Sequence, residues 1–111
     1  MIVGLSDLLD IVSEVHDVVP RWWSFGLALH LLPQVLDTTK AKDSDPERCL
    51  SVVIAEFLKK NYDCNKFGPP CWRIIVQAVG NKVGGGDRAL AEKIATNHYI
   101  PGAHYNIGNI T

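Results

Sequence analysis

Leu50, Val53, Ile54, Phe57 and Leu58 fall at i, i+3, i+4, i+7 and i+8 without a gap, the spacing that gathers apolar side chains on one face of an α-helix. Two later stretches repeat the period. Trp72, Ile75, Val76 and Val79 form one stripe that stops at Gly80, and Leu90, Ala91, Ile94 and Ala95 form another behind Asp87, a suitable N-cap. Strict apolar–polar alternation, the mark of a half-buried strand, is weak throughout. The chain is therefore expected to be all-α.

The punctuation supports this reading. Ser44 and Glu47 have capping-box spacing, while Asp45 as the alternative cap puts Pro46 at the first helical position. Upstream, Ser6 can cap a first helix over 6–18 with Leu8, Leu9, Val12 and Val15 on one face. Its acids Asp7 and Asp10 lie near the N-terminus, where the helix dipole favours negative charge. Pro20 restarts the chain, and "RWWSFGLALHL" sets Trp22, Phe25, Leu29 and Leu32 at helical spacing. Pro33 opens a short third helix, "PQVLDTTKAK", which the polar run "KAKDSDPE" ends. "NYDCNKFG" reads as a loop and "GNKVGGG" as a flexible connector. The double proline before Cys71 and Trp72 places Pro70 and Cys71 in the first turn of the fifth helix, with Trp72 its first buried anchor. The expected core is Trp22, Phe25, Leu29, Leu50, Ile54, Phe57, Trp72, Val76, Leu90 and Ile94. One domain over 1–98 is expected, followed by a tail or linker over 99–111, "YIPGAHYNIGNIT", which has no period.

With 47% apolar and 21% charged residues, the chain has the composition of a water-soluble globular domain rather than a disordered one. No run approaches the ~18 consecutive apolar residues of a membrane span. The opening "MIVGLSDLLDIVSEV" holds acids and no Lys or Arg, which argues against a targeting peptide. Cys49, Cys64 and Cys71 are odd in number and form no CxxC, so reduced thiols and a cytoplasmic setting are expected. Residues 1–55 hold eight acids against four bases, net −4, and residues 56–111 four acids against seven bases, net +3. That asymmetry suits pairing between copies or with similar partners.

The residues that carry chemistry do not assemble into a known pattern. His16, His30, His98 and His104 lack HxxxH or HExxH spacing, and with isolated cysteines they make no zinc motif. The glycines of "GNKVGGGDRAL" lack the GK[ST] ending and the preceding strand of a phosphate loop. Asp43 and Asp45 sit in a polar loop with nothing apolar to separate their acidities. No catalytic, cofactor-binding or metal residue is expected, and the chain is read as a non-enzyme. Nucleic-acid binding by a small helical domain is the alternative of another class. The last helix offers Arg88 and Lys93 but also Asp87 and Glu92, and so no basic stripe.

Several stretches resemble death domains, a family of signalling interaction domains. "WWSFGLALHL" is similar to their second helix, Trp-x-x-hydrophobic-Gly-x-x-Leu-x-Leu. "DPERCLSVVIAEFLKK" resembles the fourth, with the doublets Cys49-Leu50, Val53-Ile54 and Phe57-Leu58, although Phe57 stands where the family commonly has Trp. "GPPCWRIIVQAV" resembles the fifth helix and "ALAEKIA" the sixth, so the likeness spans about residues 5–98. It implies a six-helix antiparallel Greek-key bundle, the death fold, without cofactor. It also implies homotypic assembly with itself or with other death-fold domains, often into a helical oligomer or filament, in a longer intracellular signalling protein. A monomeric adaptor recruiting a different death-fold partner is the alternative. In the family, the first and fourth helices of one copy meet the second and third of a neighbour. The loop between the fifth and sixth helices meets the region around the fourth. The residues expected at such contacts are the acids Asp7, Asp10 and Glu14 and the bases Lys40, Lys42, Lys59, Lys60, Arg73, Lys82 and Arg88. Arg73 is read as the one outward-facing residue of the fifth helix.

Overall fold

Every regular element among residues 2–98, which this computed structural model describes, is helical. The α-helices are α1 (Leu8–Glu14), α2 (Trp22–Ala28), α3 (Pro33–Lys42), α4 (Pro46–Leu58), α5 (Cys64–Phe67), α6 (Trp72–Gly80) and α7 (Arg88–Asn97). Two 3-10 turns, Leu5–Asp7 and His16–Arg21, flank α1. The expected tail over 99–111 lies outside the described residues. The radius of gyration, 12.8 Å, is close to the ~13 Å of a compact domain of 100 residues.

The apolar period of α4 makes it the centre. Its Leu50, Val53, Ile54 and Phe57 are buried, and it packs against α1, α2 and α3. Asp45, not Ser44, is its cap: the carboxylate accepts the Glu47 N–H at 2.9 Å, with Pro46 behind it at the first position. Gly26 lets α2 approach, because a Cβ there would stand 2.5 Å from a Leu36 methyl and 3.2 Å from a Val53 methyl. On the other side α6 and α7 form the most extensive helix pair, with Ile75, Val76, Ile94 and Ala95 buried between and beneath them.

Several expectations are corrected. Among the described residues there are seven α-helices, because 64–67 makes one helical turn within the stretch read as loop. Asp63 caps it by accepting the Lys66 N–H, and Phe67 stacks on His30 with centroids 3.7 Å apart. The first helix does not run unbroken over 6–18. Pro20 has no N–H to donate to an i−4 carbonyl, and from Val15 the backbone tightens into the 3-10 turn. Within α1, Ile11 rather than Leu9 points inward, and Leu9 is 81% exposed. Leu31 is buried in an isolated bridge to Tyr62, leaving Leu32 outside as the cap residue of α3. Pro70 precedes α6 and its carbonyl accepts the Val3 N–H, while Cys71 is the extended N-cap residue. Gln77 joins Arg73 on the outer face of α6. Trp22 and Leu90 pack on the core but stay partly exposed; the other eight expected core residues are buried.

The glycine segment after α6 is no loose connector. Gly85 N–H reaches the Ala78 carbonyl and Asp87 N–H the Val79 carbonyl, both at 2.9 Å, and Gly84 and Gly85 are buried. The turn satisfies carbonyls that the end of a helix leaves open. Asp87 then caps α7 as expected, accepting the Leu90 N–H at 3.0 Å.

Candidate interaction surface

The outer face of α1 combines apolar and acidic groups. Ile2, Leu5 and Leu9 are exposed: Ile2 precedes the 3-10 turn in a bridge to Cys71, Leu5 opens the turn and Leu9 lies in α1. Asp10 is exposed beside Leu9, and half-buried Asp7 accepts the Gly4 N–H at 2.9 Å, fixing the entry into the turn.

Glu14 does not belong to this face. One of its carboxylate oxygens lies 2.6 Å from Nε2 of His98, whose ring stacks on Trp72 with centroids 3.8 Å apart. The other oxygen, Oε1, is buried without a hydrogen-bond partner. Glu14 thus ties α1 to the end of α7. The tie has no local signature, since the two residues are 84 positions apart.

The expected bases are exposed but spread over several elements. Lys40 and Lys42 occupy the last turn of α3, where cations complement the helix dipole. Lys59 pairs with Glu56 at 3.6 Å, and Lys60 follows in a left-handed conformation, φ 67°. Arg73 lies on α6 and Arg88 opens α7. Lys82 sits in the glycine turn, and its carbonyl accepts a hydrogen bond from the Arg21 guanidinium at 2.9 Å.

Sequence reasoning missed a groove of about 390 Å³ between α3 and α4, with Val35 and Val52 among its walls. Its hydroxyls, its two acids and its Asn61 amide are already engaged. Thr38 and Thr39 donate to the carbonyls of Gln34 and Val35, and the Asn61 amide donates to Glu56. Asp43 is neutralised by Arg48 at 2.7 Å, and that hydrogen bond holds its carboxyl below the usual carboxylate range. Lys42 is the cation on the rim with no ion-pair partner among the described residues. Its only trace in the sequence is Val52, a large apolar residue of α4 that lies off the buried stripe.

The thiols are packing groups here. All three cysteines are free. Cys49 is buried with Sγ 3.3 Å from the Asp43 carbonyl, and burial is the main cause pushing its thiol pKa up, which disfavours the reactive thiolate. Among the described residues no three His, Cys, Asp or Glu side chains cluster as metal ligands, and no helix is long and apolar enough to cross a membrane. Compared with known protein families, characterised proteins and solved structures, the chain matches none.

Proposed function

We propose that this chain is a non-enzymatic homotypic interaction module of the death-domain kind, a cytosolic Greek-key bundle whose copies dock head to tail. The observation that carries the reading is the outer face of α1, where Leu9 stands 81% exposed beside exposed Asp10, four residues after exposed Leu5. Contiguous apolar groups bounded by charge mark protein contacts. Two such acidic faces repel one another, so the partner surface is a different, basic one, as at Lys40 and Lys42 on the last turn of α3. A contact between unlike patches does not close on itself unless the rotation happens to, and it propagates into an open helical oligomer. The resemblance adds the same order, first and fourth helices against the second and third of a neighbour. Free thiols support the cytosolic setting. The same face serves an adaptor that recruits a different death-fold domain. Nucleic-acid binding is less favoured, because the bases are spread over separate elements and Glu92 and Asp87 flank those of α7.

Reversing Asp10 to Lys tests the reading, measured by light scattering across a concentration series. Glu14 is unsuitable for reversal because it holds His98. Asp10→Lys is expected to weaken self-association without altering the helical circular-dichroism signal. Salt raised from about 0.05 to about 0.5 M is expected to weaken the parent's assembly as the Debye length falls roughly threefold. Equal assembly of variant and parent refutes electrostatic docking. A parent that stays monomeric refutes self-assembly in favour of the adaptor.

A further inference from the structure

The groove between α3 and α4 and the exposed side of α1 are complementary in both apolar character and charge. Leu9 is the most exposed large hydrophobic side chain described, with the acid Asp10 next to it and Asp7 two residues before. The groove offers Val35 and the 40% exposed Val52 as apolar wall. Its hydroxyls and its Asn61 amide are bonded within the protein, so an apolar side chain packed against Val35 and Val52 leaves those donors satisfied. Both acids at the groove are paired, Asp43 with Arg48 at 2.7 Å and Glu56 with Lys59 at 3.6 Å. The charge left on the rim is Lys42, with Lys40 two residues before it on the same helix. An acid-flanked apolar anchor fits this setting. The rival anchor, Val83 in the glycine turn, is also exposed but follows Lys82, which would meet Lys42 with like charge.

We propose that Leu9 of one copy seats in the α3–α4 groove of a second copy of this chain, with Asp10 set against Lys42 on its rim. The inference rests on the self-assembly reading above and assigns it one donor and one acceptor surface. A volume of about 390 Å³ is at the small end of the ~300–1,000 Å³ range of ligand clefts, which suits one anchoring side chain with its flanks rather than a whole helix. A buried central anchor ringed by charge is also how binding energy concentrates in interfaces. Donor and acceptor lie on different elements of the same copy, so each copy can give and receive.

The test uses two variants of the full chain, Leu9→Glu, which spoils the donor, and Val52→Glu, which spoils the acceptor. Both positions are exposed, so both variants are expected to keep the parent's melting curve. By sedimentation velocity, each alone is expected to need at least tenfold higher concentration than the parent to assemble. Mixed in equal amounts they are expected to form a dimer that grows no further, because one supplies only the groove and the other only the anchor. If either variant assembles like the parent, or the mixture shows no dimer, the Leu9–groove contact is wrong and self-assembly uses other surfaces. If the parent stays monomeric over the whole concentration range, both this contact and the self-assembly reading fall, leaving the groove to a different partner.

Discussion

Substituting Gly85 by alanine measures how firmly the turn after α6 is built. A Cβ at Gly85 would stand 2.7 Å from the Val79 carbonyl oxygen and 2.8 Å from a Val18 methyl, well inside the ~3.5–4.0 Å of an optimal contact between carbons. The closer obstacle is backbone at the end of a helix and cannot swing aside as a side chain can. The turn has to lift, which strains or breaks the 2.9 Å bonds from Gly85 N–H to Ala78 and from Asp87 N–H to Val79. Overpacking costs ~1–3 kcal/mol, and each hydrogen bond lost adds about 1 kcal/mol. Alanine returns ~0.4–1 kcal/mol by restricting the unfolded chain. The net destabilisation is about 2–4 kcal/mol, a fall in melting temperature on the order of 10–20 °C for a domain of this size. Gly4→Ala is the control, since nothing lies within 4 Å of a Cβ there. Thermal melts followed by circular dichroism compare the two. A Gly85→Ala protein that melts with the Gly4→Ala control would refute the packed turn and restore the flexible connector that the glycine content alone implies.

Trp72→Ala is expected to cost ~3–5 kcal/mol, as large aromatic truncations do, because the ring is 5% exposed and carries the stack with His98. A urea midpoint close to the parent's would contradict the core assignment. His30 has its pKa lowered from 6.5, first by burial and then by Lys66. The unfolded chain therefore binds the proton more readily, and His30's contribution to stability is full above pH 6.5 and lost as pH falls through the lower folded value. His30→Asn, which tolerates the left-handed φ of 76°, is expected to lose less stability than the parent between pH 7.5 and 5. Parallel losses in the two proteins would remove His30 as the source.

The helices with an unbroken apolar period were legible in the sequence, because burial on one face is the dominant local signal. The stripes of α4, α6 and α7 and the cap at Asp87 are found where the spacing puts them. What was not legible depended on distant partners. Asp45 and Ser44 compete for one cap, and only the built backbone decides between them. Leu8, Leu9, Ile11 and Val12 leave the facing of α1 open until α4 packs against it and selects Ile11. The short helix 64–67 has no apolar period to announce it, and its anchor is the stack of Phe67 on His30, a residue from another part of the chain. The surface shows the same division. Charge singled out Asp10 and Lys42 as candidates for a contact, but charge cannot separate a solvent-facing acid from Glu14, which His98 engages. The α3–α4 groove needs two helices in register and has no motif.

The mass of the purified parent chain in sedimentation velocity, followed with rising concentration at low salt, tests homotypic assembly most directly. Head-to-tail docking predicts a weight-average mass that climbs past the dimer without a plateau and falls back toward the monomer when salt is raised. A mass fixed at the monomer's 12.3 kDa across the series would contradict it.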